Sequence, residues 1–194
     1  LQRLDYGDGS FAGLTRPILA QANPLSDIYA NTNNVNGNTF NGVGTVEIRF
    51  LKDFKFTSTN SVYLDEDRDI FVRNPWYGQF ASSKGISNIQ HNRRWSYNYQ
   101  QLLNWHRTFG LHEIDAMLGH EYYRTRGYAL VGSKKNMFSN SYTELSGAVT
   151  MQNVNSTRSD YNTEGYFGRV NYSYADKYFG ELSYRRDASS TFDP

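Results

Sequence analysis

The chain has 194 residues, and its 20 Lys and Arg nearly balance 19 Asp and Glu, so a net charge of +1 provides no field that attracts nucleic acid. The absence of cysteine excludes disulfide bonds and thiolate metal sites. No apolar run approaches the roughly 18 residues of a membrane-spanning helix, which excludes a helical membrane protein. Aromatic residues are abundant, with 16 Tyr, 12 Phe and 3 Trp, and they favour strands and membrane interfaces.

Residues 1–42 are rich in Asn, Gly and Ser and carry little periodicity. The stretch 31–38 is the extreme case, because it contains five asparagines. Such a composition is typical of loops. We interpret 1–42 as a loop-rich segment, an extracellular loop with at most one short strand near 11–20. A disordered linker is the alternative.

From residue 43 onward the sequence alternates apolar and polar residues with a period of two. In 43–51 the apolar positions are Val46, Ile48 and Phe50. A short turn at 52–53 follows, and a weaker alternation runs through 54–64. This pattern predicts a β-hairpin.

Two further hairpins repeat the pattern around turns at 109–110 and 175–177. The apolar positions of their strands are Trp95, Tyr97, Tyr99, Leu103, Trp105, Ile114, Ala116, Leu118, Tyr166, Val170, Tyr172, Tyr174, Leu182 and Tyr184. No helical period persists across two turns. Residues 43–194 are therefore predicted to form about six strands of an all-β antiparallel meander.

The three short turns are framed by aromatic residues and alternate with polar segments, 65–93 and 127–160, that we predict to be long loops. Short turns at one end, long loops at the other and aromatic residues beside the turns are typical of a transmembrane β-barrel. The turns would then be periplasmic and the loops extracellular. A soluble β-sandwich is the alternative, although its hairpin loops are usually short at both ends, and loops of ~30 residues count against a compact soluble domain.

In such a barrel, alternate residues of each strand face lipid and lumen. Tyr, Leu, Val and Ile are expected to face lipid. Five polar residues of the opposite rows are expected to face the lumen. They are Glu113, Asp115, Arg169, Asn171 and Glu181.

The loop around 73–77 carries the candidates for contact with substrate or partner: Arg73, Trp76 and Tyr77. Exposed aromatic rings beside Arg and Asn suit stacking on sugars or contact with another protein. Packing of these rings beneath their own loop is an equally good interpretation.

The sequence predicts no enzyme, no cofactor and no metal centre. It contains no Gly-x-Ser-x-Gly elbow or glycine-rich phosphate loop, nor a convincing Ser and His pair for a hydrolase. His106 and His112 flank one hairpin but lack a third ligand. The acidic residues of 65–69 alternate as in calcium loops, yet Ile70 replaces the expected glycine and Trp76 the bidentate Glu. We interpret 65–69 as a solvated acidic loop, and the sequence leaves a loose calcium site open.

The last hairpin resembles a known family. Glu164-Gly-Tyr-Phe-Gly-Arg-Val-Asn-Tyr-Ser-Tyr-Ala-Asp-Lys-Tyr178, followed by Ser183-Tyr-Arg-Arg-Asp-Ala-Ser-Ser-Thr-Phe192, is similar to the barrel of SusC/RagA-type TonB-dependent outer-membrane transporters. The resemblance extends from about residue 43 to the end. It departs at Ala188, where the family usually has Gly, and at Thr191, where it usually has Arg.

The resemblance implies a ~22-stranded barrel with an N-terminal plug, located in the bacterial cell outer membrane and surrounded by its lipid. It also implies a SusD-like surface lipoprotein as partner, energy from TonB through the plug, and uptake of a glycan, oligosaccharide or peptide. Neither plug nor TonB-contact segment occurs in this sequence, and six strands cannot close such a barrel. We therefore expect an internal barrel fragment. The alternative function is a soluble carbohydrate-binding β-sandwich that uses Trp76 and Tyr77.

Overall fold

The computed structural model describes residues 28, 30–76 and 80–191. Its strands are β1 (Thr32–Phe50), β2 (Phe54–Arg73), β3 (Ile86–Phe109), β4 (His112–Met137), β5 (Ala148–Tyr174) and β6 (Tyr178–Ser189). They form one antiparallel sheet in the order β1-β2-β3-β4-β5-β6. The predicted all-β meander is confirmed. Within the described residues, no helix is long and apolar enough to cross a membrane.

The strands are longer than the sequence indicated. Residues 32–42, predicted to be loop, begin β1, whereas 1–27 and 29 lie outside the described residues. The predicted loops 65–93 and 127–160 are wrong in extent, because β2, β3, β4 and β5 occupy most of them and leave only 74–85 and 138–147 as connections. The alternation of short turns with longer connections is confirmed. Backbone pairing between neighbouring strands needs no apolar side chains, so a polar strand carries little signal in its composition.

The three short turns use positive φ angles. Leu51 and Lys52 have φ of 50° and 63°, and Ala175 and Asp176 have φ of 52° and 53°. Positive φ at both central positions matches the right-handed twist of hairpin strands. In the remaining turn Gly110 alone takes positive φ, at 59°. The turns therefore adopt hairpin geometry even where the sequence offers no glycine.

The described residues group into two compact units. The connection unit comprises 66–93, 128–158 and the described residues up to Asn38. Its small core consists of Ile70, Val72, Met137 and Ala148. Buried polar groups tie its segments together, since Ser87 Oγ donates to the Thr143 carbonyl at 2.8 Å. Both longer connections are thus packed structures with hydrogen bonds of their own.

Among the described residues, the turn unit comprises 39–65, 94–127 and 159–191 and contains the three short turns. Hydrogen bonds join neighbouring turns, since the Ala175 amide donates to the Leu111 carbonyl at 2.7 Å and the His106 amide to the Asp53 carbonyl at 3.0 Å. In the last hairpin, Val170 pairs with Leu182 and Asn171 with Glu181. Side chains of one parity therefore share a face.

Gly119 allows a close aromatic contact within the turn unit. A Cβ atom at Gly119 would overlap the ring of Phe167, on the neighbouring strand. The guanidinium of Arg185 lies 5.2 Å from the centroid of the same ring. The ring thus lies directly over the glycine and occupies the space that a side chain at this position would fill.

We expect Ala175→Gly to stabilise the fold by about 1 kcal/mol, because a non-glycine residue pays roughly that amount for left-handed backbone. Thermal or urea unfolding of the protein in detergent measures the change. Ala116→Gly is the matched control in extended backbone, where glycine should destabilise by about 0.5–1 kcal/mol. Equal effects of the two substitutions would contradict the assigned turn geometry.

We expect Gly119→Ala to destabilise the sheet by about 1–3 kcal/mol, because the added methyl displaces the Phe167 ring. Gly180→Ala is the control, since a Cβ there meets nothing within 4 Å. The double variant Gly119→Ala/Phe167→Leu should recover part of the loss in the same unfolding assay. A neutral Gly119→Ala would show that the ring does not lie over this glycine.

Candidate functional site

A row of aromatic rings crosses the turn unit beside the short turns. We call it the turn-side row. Ring contacts join Phe50, Phe54, Trp105 and Phe109 into one group and His112, Tyr174 and Tyr178 into another. Their centroid distances run from 4.8 Å, between His112 and Tyr174, to 6.4 Å, between Tyr174 and Tyr178. The row contains residues from all six strands.

A second row of rings lies on the same face, farther along the strands. This far row consists of Trp95, Tyr97, Tyr99, Tyr122, His120 and Tyr166, with centroid distances of 4.7–5.8 Å between contacting rings. On β5 the rows are separated by the residues from Tyr166 to Tyr174. That separation is roughly 27 Å along a strand, or roughly 20 Å along the axis of a barrel whose strands tilt about 40°.

Apolar side chains on this face lie between the two rows and are largely exposed. Leu118 is 64% exposed, Val170 43% and its register partner Leu182 74%. Soluble monomers rarely expose a large contiguous apolar surface. We call the two rows and the side chains between them the apolar band.

The opposite face of the turn unit is charged, and the five predicted lumen residues lie together on it. Asp115, Arg169 and Asn171 line one concavity. Glu113, Asp115, Asn171 and Glu181 line an adjoining one. The shared residues Asp115 and Asn171 make these two concavities one continuous surface.

The first concavity also contains residues that sequence reasoning did not select. They are Arg49, Lys52, Lys55 and His106, together with Asp53. Arg49 and His106 belong to the polar rows already visible in the sequence. Their neighbours could not be inferred from those rows, because the register between hairpins is set by the folded sheet.

His106 lies close to two carboxylates on the charged face. Its Nδ1 lies 2.8 Å from Asp115 Oδ1 and 3.9 Å from Glu113 Oε1. His112 instead lies on the aromatic face, where its Nδ1 is 2.6 Å from the Tyr172 hydroxyl. The two histidines considered as a metal pair therefore point to opposite faces. Four cationic side chains in the same concavity disfavour a metal ion beside His106.

The acidic segment 65–69 lies within β2, so its interpretation as a loop is wrong. Asp65 accepts a hydrogen bond from Thr39 at 2.8 Å, and Asp67 accepts one from Asn92 at 2.7 Å. Alternate strand residues point to the same face, so Asp65 and Asp67 share a face, and each carboxylate is bound by a side chain of a neighbouring strand. Among the described residues, His106, Glu113 and Asp115 form the only cluster of three possible metal ligands.

The candidate loop residues differ in accessibility. The Arg73 guanidinium lies 4.0 Å from the Phe71 ring centroid and 5.5 Å from that of Phe80, so cation–π contacts hold it in place. The Trp76 side chain is exposed, at 55%. Its backbone amide donates to Asn74 Oδ1 at 2.8 Å. Tyr77 lies outside the described residues.

Comparison with known proteins finds similarity in sequence and in fold. No protein-family model matches the chain. Over 96 residues, or 48% of this chain, the sequence is 36% identical to the TonB-dependent receptor P3 of Formosa agariphila, and the match covers 10% of that protein.

Two solved structures share the fold. A structure of the RagAB peptide transporter matches with a TM-score of 0.79 at 20% identity, over 88% of this chain and 19% of that chain. A structure of the RagAB peptide importer in the open-open state matches with a TM-score of 0.80 at 21% identity, over 95% of this chain and 21% of that chain.

The chain therefore spans a small part of the length of each of these relatives, whose names denote receptors and transporters and not enzymes. The resemblance that the last hairpin predicts is confirmed in these matches, since the chain is similar in sequence to a TonB-dependent receptor and shares its fold with a segment of the RagAB structures.

Proposed function

We propose that this segment is part of the wall of an outer-membrane importer that takes up nutrients. The exposed apolar band between two aromatic rows carries this proposal. Membrane barrels present an apolar band about 25 Å tall, flanked by aromatic girdles. In water the exposed Leu118 and Leu182 side chains would remain without apolar contact, whereas lipid chains would cover them.

The charged face is then the lumen side of the wall. Glu113, Asp115, Arg169, Asn171 and Glu181 would meet water, plug or passing substrate. An ionised Arg on a lipid-facing surface at mid-membrane costs about 2–4 kcal/mol and an ionised Asp or Glu less, which favours this orientation of the two faces. The short turns would lie on the periplasmic side and the connections 74–85 and 138–147 outside the cell.

The sheet edges support a larger barrel. β1 and β6 are the outer strands of the sheet, and nearly all of their residues are exposed. Unpaired backbone groups at such edges are costly in a membrane. Pairing with further strands of the same barrel would satisfy them, in agreement with a barrel of ~22 strands.

The nutrient that we propose is a glycan, an oligosaccharide or a peptide. Peptide uptake has support from the similar RagAB structure, which is that of a peptide transporter. By the same resemblance, a SusD-like lipoprotein would cover the extracellular side, and TonB would act through a plug outside this chain. Trp76 is the accessible candidate for contact with substrate or lipoprotein, Arg73 would support the loop through its stacked guanidinium, and Tyr77 remains a sequence-based candidate.

Site-directed spin labels test the orientation of the two faces, because the chain has no cysteine of its own. We expect labels at Val170→Cys and Leu182→Cys, in the full-length protein in bilayers, to collide with oxygen more than with a water-soluble nickel complex. Labels on the sequence neighbours, Arg169→Cys and Glu181→Cys, should show the opposite preference. Nickel access at all four positions would overturn the barrel proposal and favour a soluble sandwich.

We expect Trp76→Ala to reduce substrate or lipoprotein affinity about tenfold, which corresponds to about 1.4 kcal/mol. Tyr184→Ala is the matched control, since this aromatic side chain is 70% exposed but lies on the apolar band's face of β6. Titration of the purified full-length protein with a peptide, an oligosaccharide or the lipoprotein measures both variants. If Trp76→Ala bound the peptide, the oligosaccharide and the lipoprotein with unchanged affinity, Trp76 would not be a contact residue. The barrel assignment would not be affected.

A further inference from the structure

Two arginines share one carboxylate at the outer margin of the far aromatic row. Arg124 donates from Nε to Asp160 Oδ1 at 2.9 Å and from Nη2 to Oδ2 at 2.5 Å. Arg126 donates from Nε to Asp160 Oδ2 at 3.0 Å. Since two guanidinium groups meet one carboxylate, the cluster retains a positive charge.

The cluster lies on the same face of the sheet as the apolar band. Arg124 follows Tyr122 by two residues on β4, and alternate residues of a strand point the same way. The Arg126 guanidinium lies 5.3 Å from the centroid of the Trp95 ring, which belongs to the far row. Two arginines thus lie at the margin of an exposed apolar surface, beside Trp and Tyr rings.

We propose that Arg124, Arg126 and Trp95 form a binding site for the phosphate headgroup of an anionic membrane lipid. This inference rests on the proposed membrane location of the apolar band. If lipid chains cover the band, the far row lies at the depth of the headgroups, where Trp and Tyr rings are favoured. Guanidinium groups match phosphate oxygens in geometry and charge.

The guanidinium N–H groups that do not bond to Asp160 can donate hydrogen bonds to a phosphate. A guanidinium carries five N–H donors, and Asp160 accepts one from Arg126 and two from Arg124. Asp160 also holds both side chains in place, so less conformational entropy is lost when a headgroup binds. The ion pairs are therefore part of a preformed site and not only links between β4 and β5.

The Asp160 carboxyl stays ionised over the useful range of pH. Hydrogen bonds from Arg124, and then from Arg126, lower the pKa of the Asp160 carboxyl from 3.8 to about 2. A carboxyl whose pKa is lower in the folded state stabilises that state above its unfolded pKa, and the effect is lost as pH falls through about 2. Lipid binding by this cluster should consequently not change between pH 5 and pH 8.

Lipid retention in the full-length protein tests the site. Native mass spectrometry would compare nanodiscs of phosphatidylcholine with nanodiscs that also contain phosphatidylglycerol. We expect wild type to retain phosphatidylglycerol preferentially and Arg126→Gln to weaken this preference about fivefold. Arg126→Lys, which keeps the charge, should retain part of it, whereas Arg169→Gln removes a charge from the opposite face and should leave the lipid preference unchanged.

An unchanged preference in Arg126→Gln, or an equal loss in Arg169→Gln, would overturn the proposed site. A further experiment adds inorganic phosphate at millimolar concentration to the wild-type protein in nanodiscs. If it displaced phosphatidylglycerol from the wild type, the cluster would be a general anion site and not a lipid site. Failure of the membrane assignment would look different, because the protein would then not enter nanodiscs of either composition.

Discussion

Strand register is the constraint on which both faces of this sheet depend. Val170 pairs with Leu182 on the apolar face, and Asn171 pairs with Glu181 on the charged face. A slip of one residue would move every side chain of a strand to the opposite face. The short turn at Ala175 and Asp176 holds this register through its left-handed backbone, in spite of the cost for residues other than glycine.

The separation of faces gives each surface its chemistry. On one side, exposed Leu118 and Leu182 lie between two rows of aromatic rings. On the other side, His106, Asp115 and their cationic neighbours form a hydrated charged surface. Ion pairs as exposed as these contribute little to stability, typically up to about 1 kcal/mol.

The connection unit is organised differently, because it contains the small buried core of the described residues. Val72 and Ala148 are buried within it, and Arg68 forms an ion pair with Glu144 at 2.6 Å. The hydrogen bond from Arg68 to Glu144 is the main cause of its raised guanidinium pKa. The backbone amide of the exposed Trp76 donates to Asn74 Oδ1 within this unit.

The sequence by itself determined the fold class, the three short turns and the side chains that share a face. Alternation at Val170, Tyr172 and Tyr174 is a local property, so it can be read without knowledge of the neighbouring strand. The same alternation placed Glu113, Asp115, Arg169, Asn171 and Glu181 on one face, and the folded sheet joins them into one surface.

Only the tertiary structure decided how far the strands extend and which side chains meet across them. Residues 32–42 and most of 65–93 are strands, because backbone hydrogen bonds to a neighbour hold polar segments that have no apolar pattern. The contacts of His106 with Asp115, of Phe167 with Gly119 and of Arg126 with Trp95 each join two strands. Such contacts depend on the register between strands, which the one-dimensional pattern does not specify.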